Sequence, residues 1–145
     1  MKLTRSEIDR ILQREAGHDC PGIGEQNVCV RIVAIADLPS RFGRFQIAAF
    51  WNNRDAKEHI AIMKGKVFGR EAVPTRVHSA CLTGDGLGSL RCDCRDQLEA
   101  SLRFIAAQEY GLMLSVVEGA AELFELALTW SDHTLADLLF RCGIS

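Results

Sequence analysis

Three cysteines, Cys81, Cys92 and Cys94, lie within fourteen residues of one another, and the loop between the first two carries Gly84, Gly86 and Gly88. This run constrains the fold more than any other feature. Cys92 and Cys94 are two apart, so in an extended segment they point to one side. Cys81 can return to the same point because the glycines permit tight turning. Zinc takes thiolates as ligands. Structural zinc sites have four protein ligands as a rule, whereas catalytic ones have three and an open position. Three local thiols therefore fit a catalytic zinc that activates water. They equally fit a structural zinc completed by His78, Asp85 or a more distant residue, and a metal-free loop remains a third reading.

The sequence holds six cysteines in 145 residues. The first ten residues carry too many charges for a secretory signal, and no apolar stretch approaches a bilayer span. These features point to the cytoplasm, where thiols stay reduced and clustered cysteines serve as metal ligands rather than disulfides. Cys29 and Cys142 fit core positions, and Cys20, before Pro21 and Gly22, fits a loop. With 48% hydrophobic and 25% charged residues the composition is that of one ordinary domain. The net charge of −2 gives no support for nucleic-acid or anionic-membrane binding by bulk attraction. Any phosphate recognition must come from local placement of Arg and backbone N–H groups.

Residues 4–16 have helical periodicity, with Thr4 and Glu7 forming a capping box and Gly17 as a stop. Strands are expected over 28–36, 44–51, 59–63 and 73–79, with a loop over 37–43 and turns at 52–55 and 64–66. Beyond Cys94, Leu98, Leu102, Ile105 and Ala106 repeat at helical spacing, and 112–117 is a short buried strand. Residues 120–130 and 134–141 have the pattern of two further helices. The fold class is α/β, a mixed and partly antiparallel sheet covered by helices. Three regions follow: an N-terminal helix and loop over 1–27, a central sheet region carrying the clustered cysteines over 28–117, and a helical tail over 118–145.

Arg76 and Arg91 flank the thiols and suit bidentate recognition of phosphate, with surface ion pairs to Asp85, Asp93 or Asp96 as the plainer role. His78 fits a satisfied, partly buried histidine better than a metal ligand. Gln97 opens a helix and has the groups to read a base edge. His18, His59 and His133 have no partner pattern.

The segments from Arg76 to Asp85 (Arg-Val-His-Ser-Ala-Cys-Leu-Thr-Gly-Asp), Gly88 to Cys94, and Gln97-Leu98 closely resemble the GTP cyclohydrolase II signature. A weaker similarity runs from about Val28 to Val116. The resemblance implies zinc held by Cys81, Cys92 and Cys94, with water activated by it opening the imidazole ring of guanine. Formate and pyrophosphate leave, in the first committed step of riboflavin synthesis. It further implies nucleotide contacts from Arg76, Val77, His78, Ser79 and Ala80, guanine recognition by Gln97, Mg²⁺ on the GTP triphosphate and a homodimer.

Two positions depart from the family pattern. Ala80 stands where the family has Glu, and Arg95 where it has Gly. The Tyr, Asp and Arg that the family's second half supplies have no counterpart here. Tyr110 lies before the strand and is not equivalent, so no catalytic residue is assigned. The alternative reading is therefore an inactive zinc- and GTP-binding remnant, or a partner of a full-length paralogue that docks through apolar stripes in the tail.

Overall fold

The computed structural model describes residues 2–17, 30–52 and 59–117. The expected turn over 52–55, both tail helices, Cys20, Cys29, Cys142, His18 and His133 lie wholly or mainly outside those residues. The described chain forms helix α1 (Arg5–Ala16), strands β1 (Val30–Ser40), β2 (Gly43–Asn52), β3 (His59–Lys64) and β4 (Thr75–Ala80), helix α2 (Cys94–Ala106) and strand β5 (Gly111–Val117). A one-turn π-helix, Leu82–Gly86, stands between β4 and α2. The sheet order is β1-β2-β3-β5-β4. All neighbours are antiparallel except β4 and β5, which are parallel. The sheet is thus mixed, as the sequence pattern implies, and the parallel pair needs α2 as its crossover.

Helices cover both faces, and side-chain alternation sorts the core into two layers. Ala48, Phe50, Ala61, Met63, Leu112 and Leu114 face α1 with Leu3 and Ile8. Phe45, Ile62 and Met113 face α2 and meet Leu102 and Ile105. Adjacent residues such as Ile62 and Met63 therefore serve opposite layers, which explains why β3 and β5 are apolar without a break.

Strand β1 runs four residues beyond the expected end at Ala36, so most of the expected 37–43 loop is strand. Ser40 pairs with Gly43, leaving a turn of Arg41 and Phe42. Pro39 suggested a loop, but among the described residues β1 is a sheet edge, and an edge strand tolerates the missing N–H. The register also shifts between Ile32 and Ala34. Val33 is the extra residue and is 48% exposed. The bulge moves Ile35 onto the α1 layer while Leu38 and Phe42 join the α2 layer.

Polar contacts fix α1 at both ends. Gln46, buried in β2, accepts from Leu3 N–H at 2.9 Å and donates to the Leu3 carbonyl at 3.1 Å. Glu15 accepts from Ile32 N–H at 3.2 Å. The capping box at Thr4 and Glu7 forms as its sequence implies. Among the described residues no helix is long and apolar enough to cross a membrane.

Candidate metal centre

Cys81 follows the last residue of β4, and Cys94 is the first residue of α2. The centre therefore sits at the carboxyl end of a parallel strand, where the crossover leaves the sheet. In open α/β sheets this edge is the ordinary place for a ligand. The Sγ atoms of Cys81, Cys92 and Cys94 all lie within 4.8 Å of one another. His78 and Asp85 are not members of this group.

The geometry fits a tetrahedral thiolate site. Cys81 Sγ and Cys92 Sγ are 3.9 Å apart, far beyond a disulfide bond of about 2.05 Å. Two sulfurs bound to one zinc at about 2.3 Å in a tetrahedron stand about 3.8 Å apart. A Cβ on Gly84 would lie 2.7 Å from Cys92 Sγ and 2.9 Å from Cys94 Cβ. Only glycine leaves room for the thiols to converge.

The thiols are electrostatically unequal. The Thr83 hydroxyl, followed by the Gly84 N–H and the neighbouring thiols, lowers the Cys81 pKa. Cys92 and then Cys81 push Cys94 up to about 12. The N-terminus of α2 favours a thiolate at Cys94, yet neighbouring thiols outweigh it. Without a cation, the neighbouring thiols oppose ionisation of Cys94. A divalent cation removes that conflict, so the donor set fits zinc chemically as well as geometrically.

The expected nucleotide residues divide by strand face. Arg76 points to the α2 side and, with Gln97, lines a cleft of about 370 Å³ completed by Thr75, Ala100, Ser101 and Phe104. Gln97 donates to Asp93, which lies between two of the cysteines, at 2.8 Å. Among the described residues no carboxylate lies within ion-pair distance of Arg76 or Arg91, so the plainer pairing does not occur there. Val77 pairs with Leu114 of the α1 layer, so it faces away from this cleft. Ser79 is exposed and Ala80 half-buried.

His78 is turned inward, its side chain 3% exposed, with Nε2 2.8 Å from Asp85 Oδ2. The same oxygen accepts from Cys81 N–H at 3.0 Å. Arg95 lies along α2, paired with Glu99 at 3.2 Å. The sequence offers Asp85 as a candidate fourth ligand and Gly84 as a turning residue; in the structure Asp85 instead accepts from the Cys81 N–H, and Gly84 leaves the space that Cys92 and Cys94 occupy.

The sequence matches the GTP cyclohydrolase II family over residues 30–133, more than half of the chain. The chain belongs to the GTP cyclohydrolase II family. It is 56% identical over 79 residues to a GTP cyclohydrolase-2 of Picrophilus torridus, covering 54% of this chain and 41% of that protein. A Campylobacter hominis GTP cyclohydrolase-2 is 55% identical over 76 residues, 52% of this chain and 37% of that one. The riboflavin biosynthesis protein RibBA of Synechocystis sp. is 50% identical over 112 residues, 76% of this chain and 17% of its own length. The chain thus spans less than half the length of these family relatives. Among solved structures, the two-domain 3,4-dihydroxy-2-butanone 4-phosphate synthase RibBX of A. baumannii covers 95% of this chain at 16% identity. Its TM-score is 0.43, too loose a likeness to bear on the site.

Proposed function

We propose that the chain carries out the zinc- and GTP-binding part of a GTP cyclohydrolase II reaction, opening the guanine imidazole ring with release of formate and pyrophosphate. The observation that carries this reading is the convergence of three thiols within 4.8 Å of one another, with Gln97 of the Arg76 cleft bonded to Asp93 between two of them. Cys81, Cys92 and Cys94 would hold zinc, which when bound supplies the Lewis acidity that makes water nucleophilic near neutral pH. Arg76 offers a guanidinium for the anionic part of the nucleotide. Gln97 offers an amide for the guanine edge once it exchanges Asp93 for the base. Val77, Ser79 and Ala80 contribute backbone along β4, which is an edge of the sheet among the described residues and there offers N–H and C=O groups to a ligand. Mg²⁺ on the triphosphate, a homodimeric assembly and a cytoplasmic setting complete the reading.

A narrower second reading is binding without turnover. It is supported by the make-up of the Arg76 cleft, whose lining among the described residues includes no acid or base suited to proton transfer. Metal analysis and a formate-release assay with GTP on one preparation separate the two. One zinc per chain with formate release supports the hydrolase. One zinc with GTP binding and no formate supports the binding reading. Neither zinc nor GTP binding overturns both. Arg76→Ala and Gln97→Ala are each expected to weaken GTP binding about tenfold while leaving zinc content unchanged.

A further inference from the structure

We propose that buried His78 and half-buried Asp85 form a positioning pair that fixes the first metal ligand, and that the His78 side chain takes no part in holding the nucleotide. This rests on the zinc reading above. The grip on Cys81 is two-handed: the Asp85 backbone N–H donates to the Cys81 carbonyl at 2.7 Å, while Asp85 Oδ2 accepts from the Cys81 N–H at 3.0 Å. Both polar groups of the Cys81 backbone are therefore held by one residue. Asp85 in turn is held by His78 at 2.8 Å.

His78 sits on the third pair from the end of β4, where it opposes Ser115 of β5 and is 4% exposed overall. The chain of contacts thus runs from the rigid sheet through His78 and Asp85 to the backbone of Cys81. Arg76 shares a strand face with His78 but lines the open cleft instead. The two residues divide the labour of one short strand.

A packing role explains the pair poorly. Asp85 Oδ1 is buried and has no hydrogen-bond partner among the described residues. An unsatisfied buried oxygen costs stability rather than adding to it. A carboxylate retained there is better explained by what its other oxygen holds. Residues that orient metal ligands from behind in this way change metal affinity by about ten- to a hundredfold when removed.

The test compares zinc affinity, by competition with a chromophoric chelator, and the visible spectrum of the Co²⁺-substituted protein across variants. Asp85→Ala and His78→Leu are expected to bind zinc about ten- to a hundredfold more weakly and to shift the Co²⁺ bands. Asp85→Asn, whose amide oxygen can still accept from Cys81 and His78, is expected to recover most of the loss. GTP affinity of His78→Leu at saturating zinc is expected to match the parent, whereas Arg76→Ala loses it. If Asp85→Ala does not fold, His78→Leu carries the comparison, because it leaves Asp85 in place. Zinc affinity within twofold of the parent and an unshifted Co²⁺ spectrum in both variants overturn the proposal, even if thermal stability falls. Lost GTP affinity in His78→Leu with intact zinc binding overturns it too. A parent protein that binds no zinc overturns the metal reading itself, an outcome distinct from these.

Discussion

At the scale of single residues, the centre depends as much on a missing side chain as on the sulfurs. A methyl group on Gly84 would overlap Cys92 Sγ and Cys94 Cβ. Gly84→Ala is therefore expected to reduce bound zinc to well under half an equivalent, measured by elemental analysis of the purified protein. Gly86→Ala is the matched control: its Cβ meets only Leu82 Cδ1, at 3.3 Å, and Leu82 is exposed and can move. It should retain full zinc. Cys92→Ser removes a thiolate from the group and should abolish stoichiometric zinc; a variant that keeps a full equivalent would exclude Cys92 from the ligand set. The cysteine types and spacing made three sulfurs visible in the sequence. Gly84 and Asp85 were not legible in the same way, because their importance lies in which atoms surround them after the loop has closed.

At the scale of elements, each helix has a separable hold on the sheet. Glu7 of α1 joins the Thr4 cap to Lys66, with Glu7 Oε1 2.8 Å from Lys66 Nζ and Oε2 accepting from Thr4 N–H at 2.7 Å. The Lys66 contact, then the Thr4 backbone, lowers its carboxyl from an ordinary 4.5 to about 2. A depressed carboxyl stabilises the fold above its unfolded pKa and ceases to do so as pH falls through the folded value. The contribution should therefore be lost between about pH 4.5 and pH 2. Glu7→Gln is expected to flatten the acid limb of a stability–pH curve in that window, followed by denaturant unfolding.

Helix α2 depends on burial instead. Ile105 is fully buried against Phe45, Ile62 and Met113. Ile105→Ala should cost about 2–5 kcal/mol in denaturant unfolding. Because α2 begins at Cys94, the same variant should also hold zinc less tightly. Helical periodicity made both helices legible in advance, whereas the length of β1 was not. Pro39 has opposite meanings in a central strand and at an edge, and only the sheet order decides between them.

For the molecule as a whole, the metal region links a sheet strand to the helix that crosses over from it. Zinc bound to Cys81, Cys92 and Cys94 would tie the end of β4 to the start of α2. Binding to the folded state alone stabilises it by mass action. Removal of zinc with a strong chelator is expected to lower the Tm by several degrees, read by far-UV circular dichroism, and re-addition should restore it. An unchanged Tm after verified metal removal would mean that the fold does not need the ion. The sequence by itself determined the element types, the mixed sheet and the identity of the thiol donors, because periodicity and residue chemistry are local properties. Tertiary structure alone decided that Ile62 and Met63 serve opposite layers, that Arg76 opens to a cleft while His78 turns inward, and that Asp85 supports Cys81. Those outcomes depend on strand order, register and the direction of the crossover, which bring together side chains whose separation along the chain says nothing about their distance in space.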